Sequence, residues 1–311
     1  ATCSSQLTSR SISAGVEGTS MSASDSGKLP RTAIVTGVTS AIGAAIAAAL
    51  ARQGFRVFGT ARRPTSKTFS ADGVAIELLA LDVTDPASVT ACVDAVLAGS
   101  GRIDVLVNNA GVTMVGAVEE TLDDEARPVI ETNFLGVHRL ARAVLPAMRA
   151  QRGGHIITIG SVAGFLPKPF EAFYSATKHA VEGYMESLHH EVCDFGIRVS
   201  IVEPGYVRTD LASHATVAAN RIRAYAAPRA LVAENLERCV ADGVAPAVVA
   251  RAVLRAVNSR WSRLRYRAGF EAHVFRLERT LAPQRLFDFG VRIHFFGLMH
   301  TLRSLISPRA R

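Results

Sequence analysis

A tyrosine and a lysine separated by three residues are the first candidates for chemistry in this sequence. Tyr174 and Lys178 lie in FYSATKHAVEGY (173–184), which predicts the first turn of a helix. Residues four apart share one helix face, about one turn from each other. A free tyrosine has a pKa of about 10, and a nearby ammonium group favours its phenolate. The pair therefore predicts proton transfer to a substrate, the alternative being a half-buried ring beside a solvated lysine.

A serine at the end of a predicted strand is the second candidate. Ser161 closes HIITIGS (155–161). Ligands of open α/β sheets bind beyond the carboxyl ends of the strands, where this hydroxyl could donate a hydrogen bond to a substrate oxygen. Reduction of a ketone by hydride needs such a donor and a proton for the nascent alkoxide. The structural alternative is that Ser161 only ends the strand.

The elements that must position these residues alternate along the chain. Helices are predicted at about 41–52, 86–98, 122–150 and 174–194. Short β-branched runs predict strands at 32–37, 55–60, 74–83, 103–111, 155–161 and 197–205, with a last strand at 265–269. Most runs are apolar at consecutive positions, as in parallel strands covered on both faces. The order predicts an α/β fold: a doubly wound parallel sheet with helices on both faces.

The turn after the first strand has the composition of a phosphate-binding loop. In AIVTGVTSAIG (33–43), Gly37 permits a tight turn, while Ala41 and Gly43 let the backbone and the helix start approach a pyrophosphate. The spacing is G-x-x-x-A-x-G, with alanine where a middle glycine is usual. Small residues in an alanine-rich chain are weak evidence alone, but their place directly after a strand predicts a dinucleotide site.

The end of the second strand indicates the choice of dinucleotide. An acidic residue about 20 positions past the glycines would bind the adenosine ribose hydroxyls of NAD, but Ala61, Arg62 and Arg63 stand in GTARRP (59–64). Guanidinium groups bind a 2′-phosphate bidentately, whereas an acid would repel it. The sequence therefore predicts NADP(H) as the cofactor, with NAD(H) as the alternative. The structural alternative is that Arg62 and Arg63 are solvated and bind no ligand.

Composition limits the other functions. The 311 residues carry a net charge of +8, and residues 251–311 hold 13 arginines and three acidic residues. No nucleic-acid-binding module accompanies this charge, so a nucleic-acid partner is not expected. No run of 18 apolar residues predicts a spanning helix. The four cysteines, Cys3, Cys92, Cys193 and Cys239, lie far apart in the sequence. Neither a metal site nor a disulfide framework is therefore expected, and a reducing, cytoplasmic location is predicted.

The two ends differ in composition from the central region. Residues 1–29, rich in Ser, Thr, Ala and Gly, predict a disordered leader, with a processed targeting segment within residues 1–20 as the alternative, which would imply membrane or organelle association. Residues 30–270 form the predicted domain. Residues 271–311 predict a basic amphipathic helical extension. Packing across the substrate mouth or a neighbouring subunit is preferred for it over peripheral contact with an anionic membrane.

Six motifs in register resemble the short-chain dehydrogenase/reductase family over about residues 31–210. They are TGVTSAIG (36–43), NNAG (108–111), ETNFLG (131–136), IGSVAG (159–164), YSATK (174–178) and EPGYVRTD (203–210). The resemblance implies a single-domain Rossmann-like fold, a nicotinamide dinucleotide, oxidoreductase activity on a carbonyl or alcohol, homo-oligomerisation, and a substrate lid at about 207–236. A non-catalytic dinucleotide-binding scaffold or sensor is the alternative, although such proteins typically lose the Tyr or the Lys.

The resemblance also implies residue roles. Asn133 would hold a water linking the lysine to solvent, beside Ser161, Tyr174 and Lys178 as the catalytic group. Cofactor contacts would come from Tyr174 and Lys178 and from Gly37, Thr39, Ser40, Ala41, Ile42, Gly43, Arg62, Arg63, Asp82, Val83, Asn108, Ala110, Gly111, Pro204, Gly205, Val207 and Thr209. A pocket for a hydrophobic steroid, retinoid, acyl or polyketide-like substrate is expected from Ser161, Tyr174, Val162, Phe165, Leu166, Phe170 and Tyr206.

Overall fold

The central structure is an eight-stranded sheet. A computed structural model describes residues 30–211, 213–261 and 263–298. Its strands are β1 (Thr32–Val35), β2 (Arg56–Ala61), β3 (Thr68–Ala71), β4 (Val74–Ala80), β5 (Val105–Asn108), β6 (Met114–Val115), β7 (Gly154–Ile159), β8 (Ile197–Pro204), β9 (Thr216–Val217) and β10 (Arg265–Ala268). The large sheet has the order β10-β8-β7-β5-β1-β2-β4-β3, and β6 pairs with β9 in a small parallel sheet.

Helices cover both faces of this sheet. They are α1 (Ala41–Arg52), α2 (Pro86–Ser100), α3 (Asp123–Ile130), α4 (Gly136–Ala150), α5 (Ala172–Val192), α6 (Ala226–Ala241), α7 (Pro246–Asn258), α8 (Phe270–Leu281) and α9 (Gln284–Phe296). The start of α2 shows how the sequence sets a boundary: the Asp85 side chain accepts from the Ala87 amide at 2.9 Å, and Pro86 occupies the first turn, where no amide donor is needed.

The predicted α/β fold is confirmed, with one strand that departs from it. Seven strands of the large sheet run parallel to their neighbours, but β3 pairs antiparallel with β4. Asp72 and Gly73 connect the two with φ angles of 47° and 76°. A two-residue Asp-Gly loop with both φ positive favours a tight hairpin. The short run before it has too few apolar residues to predict a strand.

Two apolar layers hold the sheet between the helices. Helices α1 and α7 pack on one face around Val35, and helices α2, α4 and α5 pack on the other around Ile34. Successive strand residues point to opposite faces, so β1 and β5 are buried at every position. Full burial of one such aliphatic side chain contributes ~2 kcal/mol. Burial on both faces explains why these strands are apolar at consecutive positions in the sequence.

The C-terminal helices α8 and α9 pack against α6 and the loop that follows β7. Phe287 and Phe295 are buried in an apolar cluster with Val232 of α6. The outer side of α8 leaves Phe270 and Leu277 exposed to solvent. Among the described residues, no helix combines the length and apolar character needed to span a membrane. The leader predicted at 1–29 and the last residues of the predicted extension, 299–311, lie outside the described residues.

A histidine buried in β7 makes stability depend on pH. His155 is 2% exposed, and burial, aided by the charge of Arg198, lowers the pKa of its imidazole to about 3. Its Nε2 lies 2.9 Å from Ser200 Oγ, which itself donates to the Arg263 carbonyl at 2.7 Å, so the imidazole donates to Ser200. Within residues 30–211, 213–261 and 263–298, Nδ1 has no hydrogen-bond partner. The neutral ring is therefore the form that the fold accepts.

Substitution His155→Gln is expected to flatten the acid side of the stability profile. The unfolded chain binds a proton near pH 6.5, whereas the folded protein does not until about pH 3. Stability thus falls as the pH drops below 6.5, and ~2 kcal/mol of the loss between pH 7 and 5 should disappear in the variant. Urea unfolding at these pH values measures it, with the exposed His179→Gln as control; parallel profiles for wild type and His155→Gln would contradict the assignment.

Candidate active site

A cavity of about 910 Å³ opens at the carboxyl ends of the central strands. Its walls come from the loops that follow β1, β2, β4, β5, β7 and β8, from the start of α5, and from the segment at about 207–236 that the sequence analysis predicts to be a lid, here called the lid segment. This is where open α/β sheets bind their ligands. The cavity therefore collects most of the motifs that the sequence analysis singled out.

The glycine loop has the geometry of a close approach to a ligand. Gly37 has a φ of +67°, which strains any residue with a Cβ. A Cβ at Gly43 would collide with the Gly37 carbonyl oxygen and lie 2.7 Å from Asn109 Nδ2. The hydroxyl of Ser40 caps α1 by accepting from the Gly43 amide at 3.1 Å. Gly37, Thr39, Ser40, Ala41 and Ile42 line the cavity, so the amino end of α1 faces any phosphate bound there.

The loop after β5 is fixed to the glycine loop by Asn109, the second residue of the NNAG motif. Its side-chain amide donates to the Thr36 carbonyl at 2.8 Å, and the Thr36 hydroxyl accepts from the amides of Asn109 and Ala110, both at 2.9 Å. Asn108, predicted as a cofactor contact, does not line the cavity. It is buried and donates to Thr158 Oγ1 at 3.1 Å, joining β5 to β7.

The far end of the cavity carries an arginine and an aspartate. Arg62 and Asp82 both line it, whereas the predicted contact Arg63 does not. Asp82 Oδ1 accepts from the amide and hydroxyl of Thr84 at 2.9 and 2.7 Å. These bonds, helped by the charges of Arg62 and Arg139, lower the pKa of Asp82. The guanidinium of Arg62 is exposed, so it can form an ion pair with an anionic group bound in the cavity.

The other predicted cofactor contacts fall into two groups. Those on the cavity wall are Val83, Ala110, Gly111, Pro204, Gly205, Val207 and Thr209. Gly43 is buried behind the wall, where its missing Cβ permits the contact between α1 and Gly37. The residues present thus fit a dinucleotide: a small-residue cradle at a helix start, a cation at one end and reactive groups at the other.

Three of the four predicted catalytic residues meet on one wall. Ser161, Tyr174 and Lys178 all line the cavity. The Ser161 hydroxyl hydrogen-bonds the Tyr174 phenol, and its oxygen accepts from the Ala163 amide at 3.1 Å. Lys178 Nζ donates to the Ile159 carbonyl at 2.9 Å and lies 5.6 Å from the centroid of the Tyr174 ring. The phenol and the ammonium therefore share one small site.

The electrostatics of this pair differ from the sequence-based expectation. Burial raises the pKa of Tyr174 to about 12, the charge of Glu171 acts in the same direction, and the hydrogen bond from Ser161 opposes both. Burial also lowers the pKa of Lys178 to about 8, against the charge of Glu182. We expected Lys178 to lower the pKa of Tyr174, but desolvation dominates and the ammonium is directed at the Ile159 carbonyl. The phenol accordingly keeps its proton at neutral pH.

Asn133 lies behind the wall rather than on it. The predicted long helix at 122–150 is interrupted by a π-helical turn, Glu131–Leu135, which separates α3 from α4. Asn133 in this turn is 2% exposed. Its side-chain amide donates to the Val112 carbonyl at 2.8 Å and to Thr177 Oγ1 at 3.2 Å, while Oδ1 accepts from the Val112 amide at 2.9 Å. The side chain ties the loop after β5 to α5.

The wall predicted to bind the substrate is more polar than the sequence analysis predicts. Val162 and Tyr206 line the cavity, but Phe165, Leu166 and Phe170 do not. Phe165 and Leu166 are buried in the cluster with the C-terminal helices, and Phe170 packs against that cluster. These three side chains pack against the apolar surface of α8 and α9 instead of lining the cavity. The motifs in the sequence do not indicate this contact, because α8 and α9 lie about 100 residues further along the chain.

A buried ion pair occupies the wall where those aromatic rings were expected. Lys168 and Glu171 bond each other and both line the cavity. Lys168 Nζ lies 5.5 Å from the centroid of the Tyr174 ring and 6.0 Å from that of Tyr206. Sequence reasoning missed the pair, although two opposite charges in PKPFE (167–171) directly before α5 were a signal. The cavity thus places a polar end next to the reactive phenol.

The lid segment is held by carboxylates from the start of α3 and the turn before it. Glu120 is buried, accepts from the Ile222 amide at 2.8 Å and bonds the Arg229 guanidinium. Glu125 accepts from the Ala219 amide at 2.8 Å. Leu211, Leu236 and Val240 add apolar surface to the cavity. Sequence reasoning found few contacts here, because these acids lie about 100 residues before the backbone that they hold.

Comparison with known proteins agrees with this geometry. The family described as short chain dehydrogenase matches residues 31–219. The 3-ketodihydrosphingosine reductase of Bacteroides thetaiotaomicron is 33% identical over 269 residues, 86% of this chain and 98% of that protein. The 3-oxoacyl-[acyl-carrier-protein] reductase FabG of Escherichia coli is 42% identical over 181 residues, 58% of this chain and 74% of the reductase.

A solved structure extends the likeness beyond the conserved motifs. A short-chain dehydrogenase from Streptomyces avermitilis superposes with a TM-score of 0.71 at 37% identity and covers 85% of this chain and 98% of its own. The sheet, the small-residue loop and the phenol–ammonium pair therefore occur together in a chain that resembles these proteins over most of its length. This chain belongs to the short-chain dehydrogenase/reductase family of NAD(P)-binding oxidoreductases.

Proposed function

We propose that this protein is an NADPH-preferring reductase of a ketone, with Tyr174 as the general acid. The observation that carries the proposal is the placement of Ser161, Tyr174 and Lys178 on one wall of the dinucleotide-sized cavity. Reduction is the direction proposed because the two relatives named above are reductases. Burial raises the pKa of Tyr174 to about 12, so at neutral pH the phenol holds a proton that it can donate in a carbonyl reduction.

In the proposed mechanism, Ser161 binds and Tyr174 protonates. The Ser161 hydroxyl donates a hydrogen bond to the substrate carbonyl oxygen, where negative charge develops. The Tyr174 hydroxyl transfers its proton to that oxygen and becomes a phenolate. The Lys178 ammonium stabilises the phenolate, which matters most in a desolvated site. A nicotinamide ring, when bound, supplies the hydride.

The cofactor would lie along the cavity from α1 to the lid. The amino end of α1, with Ser40, Ala41 and Ile42, would bind the pyrophosphate through backbone amides. Arg62 would bind the 2′-phosphate that distinguishes NADP from NAD. Asn133 would serve as a support: its amide hydrogens are both donated to protein groups, so a water held there would need its second Oδ1 lone pair or its main-chain carbonyl.

The substrate proposed is a ketone with a polar group close to the carbonyl and an apolar chain. Lys168 and Glu171 provide the polar end beside Tyr174, and Leu236 and Val240 of α6 provide apolar surface. The names of two relatives, a 3-ketodihydrosphingosine reductase and a 3-oxoacyl-[acyl-carrier-protein] reductase, describe ketones of this kind. Their shared chemistry supports the class and leaves the head group open to measurement.

A three-substrate panel tests the proposal. Oxidation of NADPH and NADH is followed by absorbance with a 3-oxoacyl N-acetylcysteamine thioester, with 3-ketodihydrosphingosine and with all-trans-retinal, which lacks a polar group beside its carbonyl. We expect turnover of at least one of the first two, faster with NADPH. Tight binding of NADPH with no turnover of any ketone would instead support a non-catalytic dinucleotide sensor.

A further inference from the structure

A buried acid lies one helical turn beyond the proposed catalytic lysine. Glu182 follows Lys178 by four residues on α5, so the two side chains share a helix face. Glu182 is 8% exposed, and its carboxylate Oε1 has no hydrogen-bond partner among the described residues. Oε2 accepts from Arg265 Nε of β10 at 2.9 Å. A buried carboxylate with one free oxygen is costly and calls for an explanation.

Two glycines make room for this carboxylate directly beneath the loop that carries Ser161. A Cβ at Gly164 would lie 2.9 Å from Glu182 Cγ and 3.3 Å from Oε1. A Cβ at Gly160 would lie 3.4 Å from the same oxygen. Gly160 also lines the cavity and follows Ile159, whose carbonyl accepts from Lys178. The unpaired oxygen therefore lies behind the same short segment that holds the ammonium.

Charged groups from several elements surround Glu182. Besides Lys178 and Arg265, it faces Glu203 of β8, Arg276 of α8 and Glu186 of α5. Glu203 is fully buried, and burial raises its pKa to about 7. Neither of its oxygens has a hydrogen-bond partner in the part of the chain that the structure describes. Arg265 and Arg267 lie 3.7 and 3.6 Å from that carboxyl, beyond hydrogen-bond distance.

The two buried acids differ in how directly an arginine pairs with them. Burial raises the pKa of Glu182 as well, but its direct hydrogen bond from Arg265 opposes the rise. Glu182 thus has a charge-assisted bond at 2.9 Å that favours its carboxylate form, whereas the arginines beside Glu203 lie beyond hydrogen-bond distance. The charge of Glu182 acts on the ammonium one turn away and raises the pKa of Lys178, against the effect of burial.

We propose that Glu182 is a positioning residue that keeps Lys178 charged through the neutral pH range and so sets the alkaline limit of the reductase. The proposal rests on the proposed function, because the charge of Lys178 matters only if it stabilises the Tyr174 phenolate. Two unit charges at about one helical turn, in an effective dielectric constant of about 20, interact strongly enough to move a pKa by about two units.

The charge on Lys178 is measured without any substrate by competitive labelling. Trace acetic anhydride is added across pH 5–11, and mass spectrometry follows the reactivity of Lys178. We expect a midpoint near 8 in the wild type and a midpoint about two units lower in Glu182→Gln. Glu182→Asp, which keeps the charge, should restore most of the difference.

Glu186→Gln is the matched control. Glu186 lies one turn further along α5, is half exposed and also pairs with Arg265, at 3.4 Å. Its neutralisation should leave the Lys178 midpoint within ~0.2 units of the wild type. An unchanged midpoint in Glu182→Gln, or an equal shift in Glu186→Gln, would overturn the proposal. Thermal unfolding of each variant establishes that the fold is retained.

Activity separates this inference from the proposed function. With a substrate from the panel, the alkaline limb of kcat should move to lower pH in Glu182→Gln by the same amount as the labelling midpoint. A shifted midpoint with no ketone reduction in the wild type would refute the proposed function and leave the Glu182–Lys178 coupling intact. An active wild type whose alkaline limb is unmoved in Glu182→Gln would refute the inference alone.

Discussion

Replacing Tyr174 with phenylalanine is expected to lower kcat by at least ~10², the usual loss when a general acid is removed. The ring and its packing remain, but the proton for the alkoxide is lost together with the hydrogen bond to Ser161. Affinity for NADPH should change less than threefold, because the hydroxyl is one contact among many along the cavity. Steady-state rates with saturating NADPH and a fluorescence titration of the cofactor measure the two effects separately.

The control for this experiment is Tyr184→Phe on the same helix. The Tyr184 hydroxyl oxygen lies 3.2 Å from His138 Nδ1, and the residue does not line the cavity. It should keep kcat within about twofold of the wild type. If Tyr174→Phe turned over at a comparable rate, Tyr174 would have no part in proton transfer, and another donor on that wall, such as Lys168, would have to be considered.

The architecture was predictable because local rules agreed with each other along most of the chain. Consecutive apolar positions indicated doubly covered strands, and Asp85 with Pro86 set the start of α2 where the structure has it. The hairpin strand β3 and the small sheet of β6 and β9 were missed. Their runs are two to four residues long, and pairing between distant segments rather than their own composition makes them strands.

The motifs located the site, but the direction of single side chains needed the structure. In NNAG the two asparagines are equivalent as letters, yet Asn109 faces the glycine loop while Asn108 faces β7. Successive residues at a strand end point to opposite faces, so a shift of one position exchanges a cavity contact for a core contact.

Long-range partners account for the remaining differences. Phe165 and Leu166 follow Ser161 closely in the chain, but the C-terminal helices bury them in a separate cluster. The high pKa of Tyr174 likewise reflects desolvation by surrounding walls and the charge of Glu171, not its spacing to Lys178 alone. A pattern along one helix gives proximity, whereas the protonation state depends on everything packed around that helix.

Arg62→Asp is expected to invert the preference for the dinucleotide. The exposed guanidinium lines the far end of the cavity. Its removal should cost NADPH ~10–10² in Kd, the range for charge-assisted hydrogen bonds to phosphate. A carboxylate there would also repel the 2′-phosphate and could accept from the ribose hydroxyls of NADH. The ratio of NADPH to NADH affinity should fall by ~10² or more, measured by titration of both cofactors.

Arg63→Asp is the matched control for this prediction, because it makes the same charge change one residue away. Arg63 does not line the cavity, so its loss should act only through the long-range field, which is screened over about 8 Å at physiological ionic strength. We expect its ratio of affinities to change less than fivefold, and less at high salt. Equal effects of the two variants would show that the basic charge of the loop, rather than a contact from Arg62, sets any preference for NADP. A wild-type protein that bound NADH as tightly as NADPH would remove the preference altogether.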